Sequence, residues 1–204
     1  MVRVQHGPQL RPRHARVAST VARAPTPSDP QPGRVYNHPT MPFTDPRVDI
    51  GHVHLKVSNL DRAIRFYQDV LGFELKSRMP GAAFLSAGGY HHHIGLNTWD
   101  SLGGKPPPPG TTGLYHFAIR YPTRRSLADA LRRLAKRGIH LEGASDHGVS
   151  EALYLHDPDG NGLELYWDRP SDLWPRTVDG AIQMMNAPLD LDDLLVELGK
   201  GSVG

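Results

Sequence analysis

Four segments of the chain place chemically active side chains on the polar face of an alternating strand. His52 and His54 alternate with apolar residues in the first segment, and His116 does so in the second. Tyr154 and Glu164 hold the same kind of position in two later segments. Side chains two residues apart share one face of a strand. Faces that contact only solvent usually carry lysine, glutamate, threonine and serine, so this set of histidine, tyrosine and one glutamate favours a functional face.

The composition restricts the metal chemistry that these residues could support. The chain has no cysteine and 12 histidines, so disulfides, thiolate metal sites and cysteine nucleophiles are excluded. Imidazole and carboxylate ligands suit iron, manganese, zinc or nickel rather than calcium. Two imidazoles and one carboxylate on one side of a metal leave adjacent positions free for substrate and dioxygen. The alternative is structural, because a single strand histidine is more often a hydrogen-bonded residue than a metal ligand.

The elements that would position these residues occur twice, which predicts an α+β fold of two βαβββ modules. His52 lies 20 residues before Gly72, and His116 lies 22 residues before Gly138. In both cases the glycine ends a predicted helix. Two such modules would form a curved mixed sheet around a metal-binding cavity, in which the polar faces meet. The predicted domain covers residues 49–169, with modules at about 49–98 and 113–169.

Capping residues and apolar spacing set the bounds of the predicted elements. The first helix covers residues 60–71 after a cap at Ser58 or Asn59, and the second covers 123–137. Period-two alternation and turn residues define the strands. These are predicted near residues 50–57, 73–77, 82–87, 91–98, 114–120, 140–143, 151–156 and 163–167.

The composition changes at both ends of the predicted domain. Residues 1–45 are rich in arginine and proline and lack hydrophobic periodicity, so they are predicted to be a disordered extension. An over-long gene start before Met41 is the second interpretation, and we favour both over an organellar transit peptide. Residues 170–204 are predicted to be a tail. Within it, 189–198 is expected to form a short amphipathic helix that packs on the domain or on a partner subunit.

The charge distribution argues against nucleic-acid and membrane functions. Residues 1–40 carry six arginines and one acid, which leaves 17 basic and 20 acidic residues for the remainder. The predicted domain has no basic stripe of the kind that nucleic-acid binding needs. No apolar run approaches the roughly 18 residues of a membrane span. The sequence therefore predicts a soluble, cytoplasmic protein.

Three motifs cover most of the predicted domain. They read G-H-V-H-L-K-V-S-N-L-D-R-A-I-R-F-Y-Q-D-V-L-G-F-E-L at 51–75, L-Y-H-F-A-I-R at 114–120 and L-Y-L-H-D-P-D-G-N-G-L-E-L-Y-W at 153–167. Together they resemble the vicinal oxygen chelate superfamily, which includes extradiol dioxygenases, glyoxalase I, thiol transferases and bleomycin-binding proteins. The resemblance implies that His52, His116 and Glu164 bind one divalent metal. His54 is the rival of His52 for its place.

Within that superfamily, the sequence is most similar to catechol 2,3-dioxygenase-like proteins. The strand in which glyoxalase I has a second acidic ligand reads Y-H-H-H at 90–93 and contains no carboxylate. Ring-cleaving dioxygenases have a catalytic histidine there, and the resemblance assigns it to His92. Alternation places His91 and His93 on the opposite face, so an assignment shifted by one residue stays open.

The resemblance implies a non-haem Fe(II) extradiol dioxygenase that cleaves a catecholic aromatic ring with O2. Tyr154 is implied as the tyrosine that hydrogen-bonds the substrate oxygen, and His147 as a neighbouring catalytic histidine. Mn, Ni, Zn and Co are the alternative metals.

Two kinds of alternative function remain on the same scaffold. One is a glyoxalase-like lyase or isomerase, or a thiol transferase, and the other is a small-molecule binding protein without catalysis. Many extradiol dioxygenases have four of the repeated units and this chain has two, so its pocket walls are expected to need a partner chain or the tail. The implied partners are a small aromatic substrate, O2 and a second copy in a homodimer, with no nucleic acid or membrane.

Overall fold

The computed structural model describes residues 44–200 of the chain. The chain divides into two compact units, residues 1–48 and 49–204. In the first unit, the described part contains an ion pair between Arg47 and Asp45 at 2.6 Å. The predicted disordered extension lies almost entirely outside the described residues.

The first module follows the predicted order of strand, helix and three strands. Its elements are β1 (Val53–Lys56), α1 (Leu60–Arg65), a π-helical turn (Phe66–Val70), β2 (Glu74–Met79), β3 (Ala82–Ser86) and β4 (Ile94–Asn97). The Asn59 side chain caps α1 by accepting a hydrogen bond from the Arg62 N–H. The strand order is β1-β4-β3-β2, in which β1 and β4 are parallel and the other neighbours antiparallel.

The second module repeats this arrangement. Its elements are β5 (Phe117–Arg120), α2 (Arg124–Lys136), β6 (Gly143–Asp146), β7 (Ser150–His156) and β8 (Gly162–Asp168). Thr123 and Ser126 form a reciprocal capping box at the start of α2. The strand order is β5-β8-β7-β6, in which β5 and β8 are parallel and the others antiparallel.

The predicted α+β class and its two βαβββ modules are confirmed, and the strands form two mixed sheets of four and five strands. Four strands begin three residues later than predicted: β1 at Val53, β4 at Ile94, β5 at Phe117 and β6 at Gly143. Strand β6 begins at Gly143, whereas the strand was predicted at 140–143. The Ile139 N–H still bonds back to Leu134 O at 3.0 Å, so the chain has not yet left the end of α2 where the strand was expected to start.

Apolar residues of β1, β3, β4, β7 and β8 form a single core with helices α1 and α2. Leucines at alternating positions of β7 and β8 are almost fully buried, as are apolar residues of β1, β4 and α2. The fully or almost fully buried side chains include Leu85, Ile94, Leu96, Leu127, Leu134, Leu153, Leu155, Leu163 and Leu165. Tyr67 joins the modules, because its buried phenol hydrogen-bonds Asp157 of the β7–β8 turn at 2.9 Å. The opposite, polar faces of the strands are left for the site.

The tail continues the second sheet and then returns to its helix. Strand β9 (Ala187–Pro188) pairs antiparallel with β6 and adds the fifth strand. Helix α3 (Leu191–Val196) packs on α2 with Leu194 fully buried. None of the helices in the part of the chain that the structure describes is long and apolar enough to cross a membrane.

Candidate active site

His116 and Glu164 meet on the polar face of the second sheet. The parallel register of β5 and β8 pairs Phe117 with Leu163 and Ala118 with Glu164. It brings His116 Nε2 to within 3.2 Å of Glu164 Oε2. The carboxylate is largely buried and the imidazole is about one-third exposed. A histidine nitrogen and a carboxylate oxygen at this distance are two of the donors that a divalent transition metal requires.

Gly162 makes the close approach of the two strands at this point possible. A Cβ atom at that position would lie 2.2 Å from the Tyr115 carbonyl oxygen and 3.1 Å from the His116 Cβ. No side chain fits in that space, so the start of β8 depends on glycine. The glycine at position 162 therefore explains how β8 can pack so closely against the segment that carries His116.

Tyr154 and His147 extend the group of polar residues. Antiparallel pairing of β7 and β8 sets Tyr154 opposite Glu164, and the phenol donates to Glu164 Oε1 at 3.0 Å. The His147 Nε2 atom lies 2.7 Å from the same phenol oxygen. Burial raises the pKa of Tyr154, and the Glu164 carboxylate raises it further. The phenol is therefore protonated near neutral pH and has one hydrogen for two neighbouring acceptors.

His116, His147 and Tyr154 line a cavity of about 410 Å³ in the second module. This is within the range of roughly 300–1,000 Å³ that is typical of small-molecule sites. Tyr115 and Tyr154 contribute aromatic rings to its lining. The other polar lining residues include Glu142, Ser145, His156 and Asn186. The cavity can therefore contact both the flat face and the oxygen atoms of a small aromatic molecule.

A second histidine cluster lies on the first module. The rings of His52 and His92 are 4.5 Å apart between centroids, and Phe84 is 5.0 Å from His92. His93 is on the other side, where its Nδ1 atom lies 2.9 Å from Ser86 Oγ. Burial lowers the pKa of His92, and the neighbouring histidines, His52 first, lower it further.

His54 has a different environment from His52. Its ring covers Gly95, where a Cβ atom would be 2.9 Å from the His54 Cγ. Trp99 flanks the ring at 5.6 Å between centroids. His52 directly precedes β1 and His54 lies within it, and the ring of His52 contacts His92 at an angle of 48° between the ring planes.

The structure thus brings four of the predicted site residues together and separates the other two. His116, Glu164, Tyr154 and His147 form one group, and His52 contacts His92 in another. Among residues 44–200, no three histidine, aspartate or glutamate side chains are grouped closely enough to hold a metal ion. The donor chemistry of His116 and Glu164 fits a divalent metal, and the assignment of all three ligands stays a prediction.

Sequence reasoning missed three residues of the cavity. The exposed side chains of Glu142 and His156 hydrogen-bond each other and line it, and only the position of His156 on the polar face of β7 was a signal. Asn186 comes from the tail, where no periodicity marks it. Its position depends on the pairing of β9 with β6, which connects residues about forty positions apart in the chain.

Comparison with known proteins now assigns the family. Residues 49–165 match the family model described as the Glyoxalase/Bleomycin resistance protein/Dioxygenase superfamily. The chain therefore belongs to this superfamily, and the resemblance inferred from its motifs is confirmed.

Relatives with different activities share this fold. A catechol-2,3-dioxygenase from Bacillus subtilis is 43% identical over 150 residues, which are 74% of this chain and 52% of that protein. The chain thus spans about half the length of that relative. A probable lactoylglutathione lyase from Synechocystis sp. is 28% identical over 128 residues, covering 56% of this chain and 91% of that protein. The crystal structure of a glyoxalase/dioxygenase from Nostoc punctiforme matches with a TM-score of 0.51 at 19% identity, covering 60% of this chain and 92% of that one, and supports the fold alone.

Proposed function

We propose that this chain is a metal-dependent extradiol-type dioxygenase that cleaves a catecholic aromatic ring with O2. The observation that carries the proposal is the hydrogen-bonded group of Glu164, Tyr154 and His147 beside His116, of which Tyr154, His147 and His116 line one cavity. The 43% identity to a catechol-2,3-dioxygenase supports this reaction class. Because the chain spans only part of that relative, its substrate and full activity belong to the proposal.

His116 and Glu164, together with His52, would hold the metal, for which Fe(II) is our choice and Mn, Ni, Zn and Co are the alternatives. When bound, the metal would lower the pKa of a catechol hydroxyl and allow electron transfer between the ring and O2. The residues around it would have separate tasks.

Tyr154 would orient the substrate by a hydrogen bond to one of its oxygen atoms. Its phenol already lies between Glu164 Oε1 and His147 Nε2, so the hydroxyl is held beside the proposed ligands His116 and Glu164. His92 would accept a proton from a substrate hydroxyl and later return it, which is the role of a general acid and base. The expectations of a homodimer and a cytoplasmic location stay predictions.

The first experiment measures oxygen uptake by anaerobically iron-loaded protein with a panel of catechols. We expect O2 consumption that matches the formation of a yellow ring-opened product. Protein loaded with Ni or Zn is the matched control, and a lyase on the same scaffold would turn over a hemithioacetal with these metals without O2. Stoichiometric iron without O2 uptake across the panel contradicts the proposal.

The second experiment tests the three ligands. His52→Ala, His116→Ala and Glu164→Ala should each lose bound iron after dialysis, as measured by metal analysis. His54→Ala is the matched control and should keep it, because His54 is the neighbouring histidine on the same strand face. A variant that retains stoichiometric iron shows that its residue is not a ligand.

A further inference from the structure

The main chain of the tail contacts His147 directly. The Met185 N–H donates to the His147 carbonyl oxygen at 3.0 Å, and the His147 Nδ1 atom lies 2.9 Å from the Met185 carbonyl oxygen. The next residues, Ala187 and Pro188, pair with β6, which ends one residue before His147. We call residues 185–188 the clasp. It holds both the backbone and the ring of His147.

The clasp decides which ring nitrogen of His147 carries hydrogen. A carbonyl oxygen can only accept a hydrogen bond, so the Nδ1 atom facing Met185 must donate one. In the neutral ring, the Nε2 atom then has a lone pair. This lone pair faces the Tyr154 hydroxyl, 2.7 Å away, whose single hydrogen is then shared between His147 Nε2 and Glu164 Oε1. A ring without the clasp could flip or take the other tautomer, and would no longer present an acceptor to the phenol.

The clasp is anchored on both sides by ion pairs. Before it, Arg169 binds Asp146 at 2.6 Å, next to His147, and the buried Glu151 at 2.8 Å. After it, Arg124 joins Glu151 at 2.7 Å to Asp193 of α3, also at 2.7 Å. Glu151 therefore pairs with Arg169, the residue that follows β8, and with Arg124 of α2, on which α3 packs. The chain is thus tied to the domain just before the tail begins and again after the clasp.

We propose that the clasp is a positioning element of the active site, in which the Met185 main-chain carbonyl fixes the His147 tautomer that presents the Nε2 lone pair to Tyr154. The effect on turnover rests on the proposed dioxygenase function, whereas the tautomer does not. Met185 acts through its backbone, since its side chain is about half exposed. The position of the clasp, and not the identity of residue 185, is what the site requires.

The test compares two proline variants of the full chain. Met185→Pro removes the N–H that bonds to His147 and shifts the adjoining carbonyl. Met184→Pro is the matched control, because the Met184 N–H donates no hydrogen bond within residues 44–200. The first readout is the ¹⁵N shift of each His147 ring nitrogen in metal-free protein, assigned by its loss in His147→Gln. The second is kcat and KM of the iron-loaded protein with a catechol.

We expect the unsubstituted protein and Met184→Pro to have a protonated Nδ1 and an unprotonated Nε2. Met185→Pro should show averaged nitrogen shifts and a kcat lower by roughly ten- to a hundredfold, with KM changed much less. A His147 ring that averages or has hydrogen on Nε2 in the unsubstituted protein overturns the proposal. So does a Met185→Pro ring that keeps the fixed tautomer.

A second variant covers the case in which Met185→Pro does not fold. Gly148→Ala would place a methyl group 3.2 Å from the Met185 Cγ and 3.0 Å from Pro175, and should shift the clasp with a smaller loss of the fixed tautomer. An unchanged tautomer in this variant counts against the clasp. A fixed tautomer in the unsubstituted protein without catechol turnover supports the positioning and removes the dioxygenase, so the two proposals fail separately.

Discussion

At the scale of single residues, Tyr154 links the metal-binding pair to His147. Its hydroxyl lies within hydrogen-bond distance of both Glu164 Oε1 and His147 Nε2. Burial and the Glu164 carboxylate both raise its pKa, so the phenol keeps its hydrogen over the working range of the protein. A neutral donor at this position can serve a substrate oxygen without adding charge to the cavity.

Tyr154→Phe should therefore lower kcat for a catechol by roughly ten- to a hundredfold, because residues that orient metal ligands contribute about this much. Bound iron and the melting temperature should change little. Tyr166→Phe is the control. The Tyr166 hydroxyl makes no hydrogen bond in the described part of the chain, and Tyr166 lies on the same face of β8 as Glu164. Equal losses in the two variants, measured by steady-state kinetics, count against a specific role of Tyr154.

Substitutions can also show which of the three consecutive histidines, residues 91–93, has the catalytic role. His92 contacts both His52 and His91, whereas the His93 Nδ1 atom faces Ser86 Oγ and His91 is exposed. His92→Gln should reduce kcat by about a hundredfold or more, and His91→Gln should reduce it much less, because the His91 ring lies within hydrogen-bond distance only of the Nδ1 atom of His92. The measurement is single-turnover decay of the bound catechol. A large loss in His91→Gln alone would move the catalytic assignment by one residue.

At the scale of the elements, alternation predicted most of what positions the site. The polar faces of β5, β7 and β8 carry the side chains that the sequence placed there. Their convergence needs the parallel register of β5 on β8 and the antiparallel register of β7 on β8, which no local pattern specifies. The role of Met185 could not be predicted, because a main-chain carbonyl leaves no signature in the residue type. The contact of His52 with His92 likewise depends on how β1 and β4 pair.

The contact between β5 and β8 gives a prediction at this scale. Gly162→Ala should destabilise the fold by at least about 1–3 kcal/mol, the usual cost of overpacking, because the new methyl meets backbone atoms that cannot rotate away. Gly89→Ala is the control, since a Cβ there contacts nothing within 4 Å. Urea unfolding gives the free energies. A stability of Gly162→Ala equal to that of Gly89→Ala would mean that β5 and β8 are farther apart at this point.

At the scale of the whole molecule, the tail and the second module form one ion-pair network centred on Glu151. This carboxylate is only 4% exposed and accepts from Arg124 of α2 and from Arg169, the residue that follows β8. The Arg169 guanidinium also holds the pKa of Asp146 below its ordinary value. The network thus connects the residue before His147 to α3, which lies beyond the clasp. It acts together with the pairing of β9 on β6 and the burial of Leu194, which also hold the tail on the domain.

Glu151→Gln keeps the shape of the side chain but leaves two arginines without the carboxylate between them. The loss should be about 2–3 kcal/mol of unfolding free energy, below the full cost of breaking a buried pair because both guanidinium groups reach solvent. Glu74→Gln is the matched control, since Glu74 is two-thirds exposed in its pair with Lys76, and exposed pairs contribute roughly 0–1 kcal/mol. Amide hydrogen exchange at residues 185–198 should also become faster, because this segment should open without unfolding of the rest of the domain. If exchange there is unchanged while global stability falls as expected, Glu151 stabilises the sheet and does not hold the tail.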